Sequence, residues 1–324
     1  MRSFIKKHFS VLLVFAIIPD YFVSFWRYIR FSGVFLRGHD KVKMLGAIIA
    51  NYHIVEKGLT MPETRLGFGQ AVLMQLIDEC ELFAKRFGCE EEQFTHALKV
   101  IAEYREFHLQ KGHDLGSELT SRINTCLSAY ESVEPSRQDV MSRTEYFAHV
   151  DSNYEKFSNS RRSVRNYSEE EIPAEDLNAA IQIARNTPSS CNRQTTRVYV
   201  FEEKEKVAQI LQLQGGNRGF GHLVNKVIVV VGEQRLCFGV HEKDLVYVDG
   251  GMFIMSLLYS LHYKKIAACP LNCYFSKKIE RKVRKACSIR DSEVILAMIS
   301  CGKIPESLKL ASSPRKGLSF YQEG

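Results

Sequence analysis

Ser160-Arg161-Arg162-Ser163-Val164-Arg165-Asn166-Tyr167 is the stretch on which the reading of this chain turns. Three arginines surround Ser163. A guanidinium presents a planar fork of donors and a hydroxyl adds another, so a cluster of this density can neutralise a phosphate. Ser168-Glu169-Glu170-Glu171-Ile172-Pro173 follows, an acidic turn whose proline suits the first turn of a helix. Alone, the basic run reads first as a solvated loop, since charge runs are usually wet surface. The residues downstream decide between the two.

From Glu155 onward, helical and strand patterns alternate. Ala174 to Arg185 is amphipathic, with Leu177, Ala180, Ile181 and Ala184 inward. Thr187-Pro188-Ser189-Ser190-Cys191-Asn192-Arg193-Gln194 then breaks the pattern with short polar side chains. Arg197 to Phe201 reads as a strand and Lys204 to Leu213 as a helix. Gly215 to Gly221 reads as a loop: it lacks the Gly-Lys-Ser/Thr ending of a P-loop and precedes a strand. Lys226 to Val231 is a continuous apolar run, the pattern of a buried strand. Tyr247 to Tyr263 is apolar nearly all round and predicts a central helix. Ile266 to Leu271, the basic helix Ser276 to Cys287 and the strand Glu293 to Ser300 complete the pattern.

Taken together, these pieces resemble the nitroreductase family over Asp151 to Gly324. The family's Arg-Arg-Ser-x-Arg motif is matched by Arg161, Arg162, Ser163 and Arg165. The resemblance implies that these residues bind the phosphate and ribityl chain of FMN, with Arg165 near the pyrimidine end of the ring, where a cation stabilises the reduced anion. Pro188, Ser189, Ser190, Asn192 and Gln194 match the segment that closes over the flavin from a partner subunit. The usual Pro-Trp continuation is replaced by Thr195-Thr196. A helix starting at Asp249-Gly250-Gly251 resembles the central dimer helix. Cys269, Pro270, Leu271 and Asn272 match the turn whose backbone runs along the ring, although Ala267 and Ala268 stand where glycines are expected. Arg315 and Lys316 match the basic pair that completes the phosphate site.

The implied fold is α+β: a nitroreductase-like FMN-binding domain with a central mixed or antiparallel sheet flanked by helices, at residues 152–324. The implied function is an FMN-dependent oxidoreductase. NAD(P)H reduces the cofactor, a small-molecule acceptor is reduced in turn, and a homodimer works by ping-pong kinetics. No catalytic side chain is required, because the cofactor carries the chemistry. Two alternatives accompany it: an FMN-dependent dehydrogenase on an organic or sugar-linked substrate, and a non-catalytic, membrane-associated subunit. The earlier motifs Asn51-Tyr52-His53 and Glu56-Lys57-Gly58-Leu59-Thr60-Met61-Pro62 are similar to longer nitroreductase-like proteins of bacterial polysaccharide synthesis.

The preceding part of the chain is of another kind. Residues 38–131 read as all-helical, with helices over His39 to Met61, Gln70 to Phe87, Glu91 to Lys111 and Ser117 to Tyr130. His53 and Glu56 share a helical face and read as a structural pair, since no third metal ligand stands at a local spacing. Residues 132–151 read as a polar connector. Residues 1–37 place Arg2, Lys6 and Lys7 before the apolar run Phe9 to Ile18; Pro19-Asp20 breaks it, and Tyr21 to Arg30 mixes aromatics with arginines. This segment is either an apolar helix pair packed on the body or a peripheral membrane contact. It carries no small-residue cleavage site, and the first run is shorter than a span requires.

Composition sets outer bounds. The 324 residues are 45% hydrophobic and 25% charged, with a net charge of +7, which is a folded composition with moderate basic excess. No zinc-finger, helix-turn-helix or aromatic-basic RNA pattern points to nucleic acid. The nine cysteines are odd in number and show no C-x-x-C spacing, which argues against a zinc site or a disulfide framework and for free thiols in a reducing cytosol. The expected location is cytoplasmic, with peripheral contact at the inner face of the membrane under the interfacial reading of residues 1–37.

Overall fold

The computed structural model describes residues 13–34, 40–239 and 241–322. Expectations that fall on residues 1–12, 35–39, 240 and 323–324 lie outside them. The first described element is helix α1, Leu13–Phe31, and it corrects one expectation: Pro19 lies inside the helix and does not end it. Proline removes one backbone donor. Here it is exposed, so the carbonyl it leaves unpaired stays open to water.

The chain forms two compact units. One comprises Phe22–Asp139 with Ala311–Gly324; the other comprises Val140–Leu310 with the chain up to Tyr21. The first is helical: α2 (Lys41–Leu59), α3 (Gln70–Phe87), α4 (Glu92–Gln110) and α5 (Ser117–Ser128). Asp40 caps α2 by accepting from Lys43 N at 3.0 Å. Gly88, at φ +82°, ends α3 as its sequence position predicts. Met44, Leu45, Ile48, Tyr52, Val55 and Leu59 recur at helical spacing and bury one face of α2 against Leu73, Leu76, Phe83, Phe94 and Ile101. Gly58 lets the Phe68 ring lie against bare backbone: a Cβ there would fall 1.9 Å from Phe68 Cε2.

The second unit opens where the sequence reads as a plain connector. Strand β1 (Asp139–Ser142) leads into the single turn α6 (Arg143–Tyr146). Ser142 and Glu145 form a reciprocal capping box there, which the Ser-x-x-Glu spacing encodes. Then come α7 (Tyr154–Ser160), α8 (Ala174–Ala184), β2 (Thr196–Phe201), α9 (Lys204–Gln214), β3 (Lys226–Glu233), α10 (Leu245–Tyr263), β4 (Ala267–Leu271), α11 (Lys277–Cys287), β5 (Glu293–Gly302) and β6 (Ser307–Leu310). Pro173 stands immediately before α8, as expected.

The main sheet has the order β2-β3-β5-β4, and its pairings are all antiparallel. β1 pairs with β6 in a separate two-stranded sheet. All eight residues of β3 are buried, which explains its unbroken apolar run. Ile228, Val230, Ile299 and Cys301 pack with Leu257, Leu258 and Leu261 of α10 and with Leu177, Ala180 and Ala184 of α8. α10 begins at Leu245, two residues before Tyr247, where the apolar pattern predicts it, and four before Asp249, where the resemblance starts it. Asp249 therefore lies within the helix. All nine cysteines are free thiols, with Cys80, Cys126, Cys269, Cys287 and Cys301 buried.

Candidate functional site

The basic segment leaves α7 at Arg161 in an extended conformation and runs beside the outer edge of the sheet. Val164 N donates to Ala268 O of β4 at 3.1 Å. Two buried phenols fix the remaining backbone. Tyr146 Oη donates to Arg162 O at 2.7 Å. Tyr167 Oη lies 2.8 Å from Val164 O and 3.0 Å from Ser300 Oγ, and Ser300 Oγ donates to Cys269 O at 3.3 Å. Burial raises both phenols, Tyr146 to about 12 and Tyr167 well above its ordinary value, so both remain protonated donors near neutrality. The Tyr167 ring packs on Gly302 of β5, where a Cβ would fall 2.5 Å from Tyr167 Cδ1. Val164 is buried, while Arg161, Arg162, Ser163 and Arg165 are half-buried around it. The basic motif and Cys269–Leu271, over a hundred residues apart in sequence, are thus neighbours in the fold.

His262 of α10 stands behind this segment, nearly fully buried against Tyr146, Phe147 and Phe157. Its Nε2 lies 2.9 Å from Ser160 Oγ. The Ser160 hydroxyl already donates to Phe157 O at 2.8 Å, so Nε2–H is the donor of the pair. That leaves Nδ1 as a buried acceptor with no partner among the described residues. Burial, with the Arg161 charge nearby, lowers the imidazole to about 4 and keeps the ring neutral.

The Pro188–Gln194 segment is held from below by Asp249. The carboxylate accepts from Ser190 N at 3.1 Å through Oδ1 and from Thr195 Oγ1 at 2.9 Å through Oδ2. Thr195, which stands where the family pattern has proline, is therefore a buried anchor. Ser189 Oγ accepts from Gln194 N at 2.9 Å. Arg193 donates to both oxygens of Glu242 at 2.8 and 3.0 Å, and to Leu236 O at 2.9 Å. Arg193 and the backbone amides of Gly239 and Phe238 hold the Glu242 carboxyl down at about 2. Cys191, Asn192 and Gln194 have φ of 50°, 54° and 51°, left-handed values that cost non-glycine residues energy. These contacts leave Pro188, Asn192 and Gln194 exposed and Ser189 and Ser190 half-buried. A small pocket of about 70 Å³ lies beside the segment, lined by Pro188, Ser189, Gln194, Asp249 and Phe253 among others.

Cys269 and Leu271 of β4 are buried, whereas Pro270 and Asn272 face out. Ala267 and Ala268 are strand residues in register with Gly302 and Cys301, and not part of a tight turn. Both alanines are buried, and by strand alternation Ala268, not Ala267, shares its face with Pro270.

Arg315 and Lys316 belong to the helical unit. Arg315 is exposed, and Lys316 Nζ sits 3.5 Å above the Phe320 ring. Lys316 also lines a pocket of about 510 Å³ with Lys41, Val42, Leu45, Phe87 and Gln93. The tail that carries them is tied to Glu56. This fully buried carboxylate accepts from His96 Nε2 (2.7 Å), Ser312 Oγ (2.9 Å) and Ser313 N (3.2 Å) through Oε1, and from His53 Nδ1 (3.2 Å) and Ser313 Oγ (3.2 Å) through Oε2. Burial alone would raise its pKa; the hydrogen bonds from His53, His96 and Ser312 prevail and hold it well below the carboxylate range. No group of three metal-ligating side chains among the described residues could hold a metal ion. Sequence reading misses His96, Ser312 and Ser313 because they stand 40, 256 and 257 residues from Glu56. It misses Asp249 and His262 because a single polar residue on an apolar helix carries no spacing signal; their only mark is a hydrophilic interruption of a buried pattern.

Residues 159–218 match the model of the Nitroreductase family. The match spans the basic motif and the Pro188–Gln194 segment. Among solved structures, the chain is similar to an FMN-dependent nitroreductase from Clostridium difficile, at 21% identity over 48% of this chain and 89% of that one, with a TM-score of 0.42. An NAD(P)H:FMN oxidoreductase from Staphylococcus epidermidis gives 18%, 53%, 96% and 0.48 in the same terms. A nitroreductase family protein from Streptococcus pneumoniae gives 18%, 53%, 100% and 0.47. No curated protein matches the chain.

Proposed function

We propose that this chain is an FMN-dependent oxidoreductase that takes electrons from NAD(P)H and passes them to a small-molecule acceptor, working as a homodimer. The observation that carries the reading is the Val164–Ala268 hydrogen bond, which sets the cationic motif beside Cys269–Asn272. The donor set fits the cofactor. Arg161 and Arg165 are half-buried, and neither guanidinium is in an ion pair with a described carboxylate, so both are available to an anion.

In this reading Arg161, Arg162 and Ser163 hold the phosphate and ribityl chain. Arg165 sets its charge near the pyrimidine edge. Cys269, Pro270, Leu271 and Asn272 border the ring. Pro188, Ser189, Ser190, Asn192 and Gln194 close over the site of the partner subunit, contributing hydroxyls and amides without net charge. Arg315 and Lys316 keep the phosphate role that the family resemblance implies for them. Bound FMN supplies hydride acceptance and release, chemistry that no side chain here provides. Tyr146 and Tyr167 hold the motif's backbone against the sheet edge, and Asp249 fixes the closing segment from within the core.

The test is the visible spectrum of the purified chain, before and after NADPH addition without oxygen. A flavin spectrum that bleaches is expected. Arg161→Ala should weaken FMN binding by about 10- to 100-fold, the value of one charged hydrogen bond, and Arg315→Ala should lose most bound FMN as well. Full retention by both variants, or no flavin after reconstitution with FMN, would overturn the assignment.

A further inference from the structure

Helix α1 is the most exposed apolar element among the described residues. Seven aromatics on it are exposed: Phe15, Tyr21, Phe22, Phe25, Trp26, Tyr28 and Phe31. Soluble surfaces rarely leave so much apolar area contiguous. At about 100° per residue the helix sorts into faces. Phe15, Ile18, Phe22 and Phe25 share one stripe, with Trp26 on one flank and Tyr21 and Tyr28 on the other. The remaining arc carries every charge of the helix, Asp20, Arg27 and Arg30, together with the exposed Val23 and Phe31. Asp20 Oδ2 lies 2.6 Å from His241 Nδ1, and the two arginines outnumber the one carboxylate, so the helix carries a net positive charge.

We propose that α1 is an interfacial helix that lies on an anionic lipid surface. Its aromatic stripe enters the boundary between headgroups and acyl chains, and Arg27 and Arg30 face lipid phosphates. Three features select this occupant over a second copy of the chain. The net charge is positive, whereas a self-complementary pairing would juxtapose like charges. The flanks are Trp and Tyr, whose apolar rings and polar tips suit headgroup depth. In sequence, Arg2, Lys6 and Lys7 precede the helix and extend the cationic character. The helix lies on the surface and does not cross it: α10 is the one described helix long and apolar enough to span a bilayer, and its side chains form the interior of the sheet unit.

Trp26 is the only tryptophan of the chain and sits on the stripe's flank, so it reports directly on the contact. The full chain is mixed with vesicles of phosphatidylcholine alone or with 30 mol% phosphatidylserine. With the anionic vesicles, Trp26 emission should shift to the blue, lipids brominated near the headgroup end of the acyl chain should quench it, and the protein should float. Raising salt to 0.5 M, or the variant Arg27→Glu/Arg30→Glu, should lower vesicle binding at least fivefold. Phe22→Asp/Phe25→Asp should lower it at least tenfold. No Trp26 shift and no flotation would overturn the proposal, as would equal binding to uncharged vesicles. Concentration-dependent self-association, abolished by Phe22→Asp/Phe25→Asp in the absence of any vesicle binding, would assign the stripe to a second copy instead. The emission of the unaltered chain keeps the result independent of variant folding, and none of these readouts depends on bound flavin.

Discussion

Each compact unit buries a histidine, and the two rings are satisfied in opposite ways. His108 of the helical unit uses both nitrogens: Nδ1–H donates to Tyr104 O at 2.8 Å, and Nε2 accepts from Gly67 N at 2.9 Å. His262 of the sheet unit uses one; its Nδ1 has no described partner, and a cationic motif lies beside it. Burial lowers both pKa values. The first ring is a stitch between a loop and a helix. The second tolerates an unsatisfied atom next to the residues with the strongest functional reading. Unsatisfied buried groups concentrate where a fold serves something besides its own stability. The carboxylates repeat the contrast: Glu56 gathers five donors, including two imidazoles, whereas Asp249 is held by one amide and one hydroxyl.

Because the Glu56 carboxylate of the helical unit is fully paired, its network should be the most costly to break. Glu56→Ala is expected to destabilise that unit by about 3–5 kcal/mol, since it strands two histidines and two serines around a cavity. Hydrogen exchange in α2 and in the 311–316 tail should accelerate together; protection that stays unchanged in both would contradict the picture. The next effect sharpens the contrast by pH. The His262 imidazole falls from 6.5 unfolded to about 4 folded, so its contribution is complete above pH 6.5 and is lost as pH drops toward 4. The full loss is roughly 3 kcal/mol. Exchange protection in α10 should decline over that window, and His262→Phe should flatten the decline. The smallest effect probes strain. Cys191→Gly relieves a left-handed φ in the Pro188–Gln194 segment and is expected to gain about 0.5 kcal/mol, visible as a small rise in Tm.

Secondary structure was legible wherever one period dominated. The run Lys226 to Val231 and the helix over Tyr247 to Tyr263 stand in the structure much as their patterns predict. Local punctuation was equally readable at Gly88 and Pro173. Three things were not. Pro19 reads as a stop only if its lost hydrogen bond is assumed to be buried, and it is exposed. The short pair of β1 and β6 joins residues whose only signal is each other. The polar pins of the candidate site, Tyr146, Asp249, His262 and Ser300, act on groups far away in sequence, and a hydrogen bond of that kind leaves no pattern at either end. The basic motif itself was legible; the sheet edge it lies against was not.

The helical unit has one further property, which concerns how the chain is made. It contains Phe22–Asp139 and also Ala311–Gly324, with the whole of Val140–Leu310 synthesised in between. Glu56 therefore leaves the ribosome long before Ser312, which follows it by 256 residues. At about 5–20 residues per second that interval is on the order of tens of seconds. Throughout it the carboxylate has only its two histidines, and three of its five donors do not yet exist. The helical unit is completed last although its helices are made before the sheet, so the nascent protein passes through a stage in which the sheet has all its strands while the helices still wait for the tail.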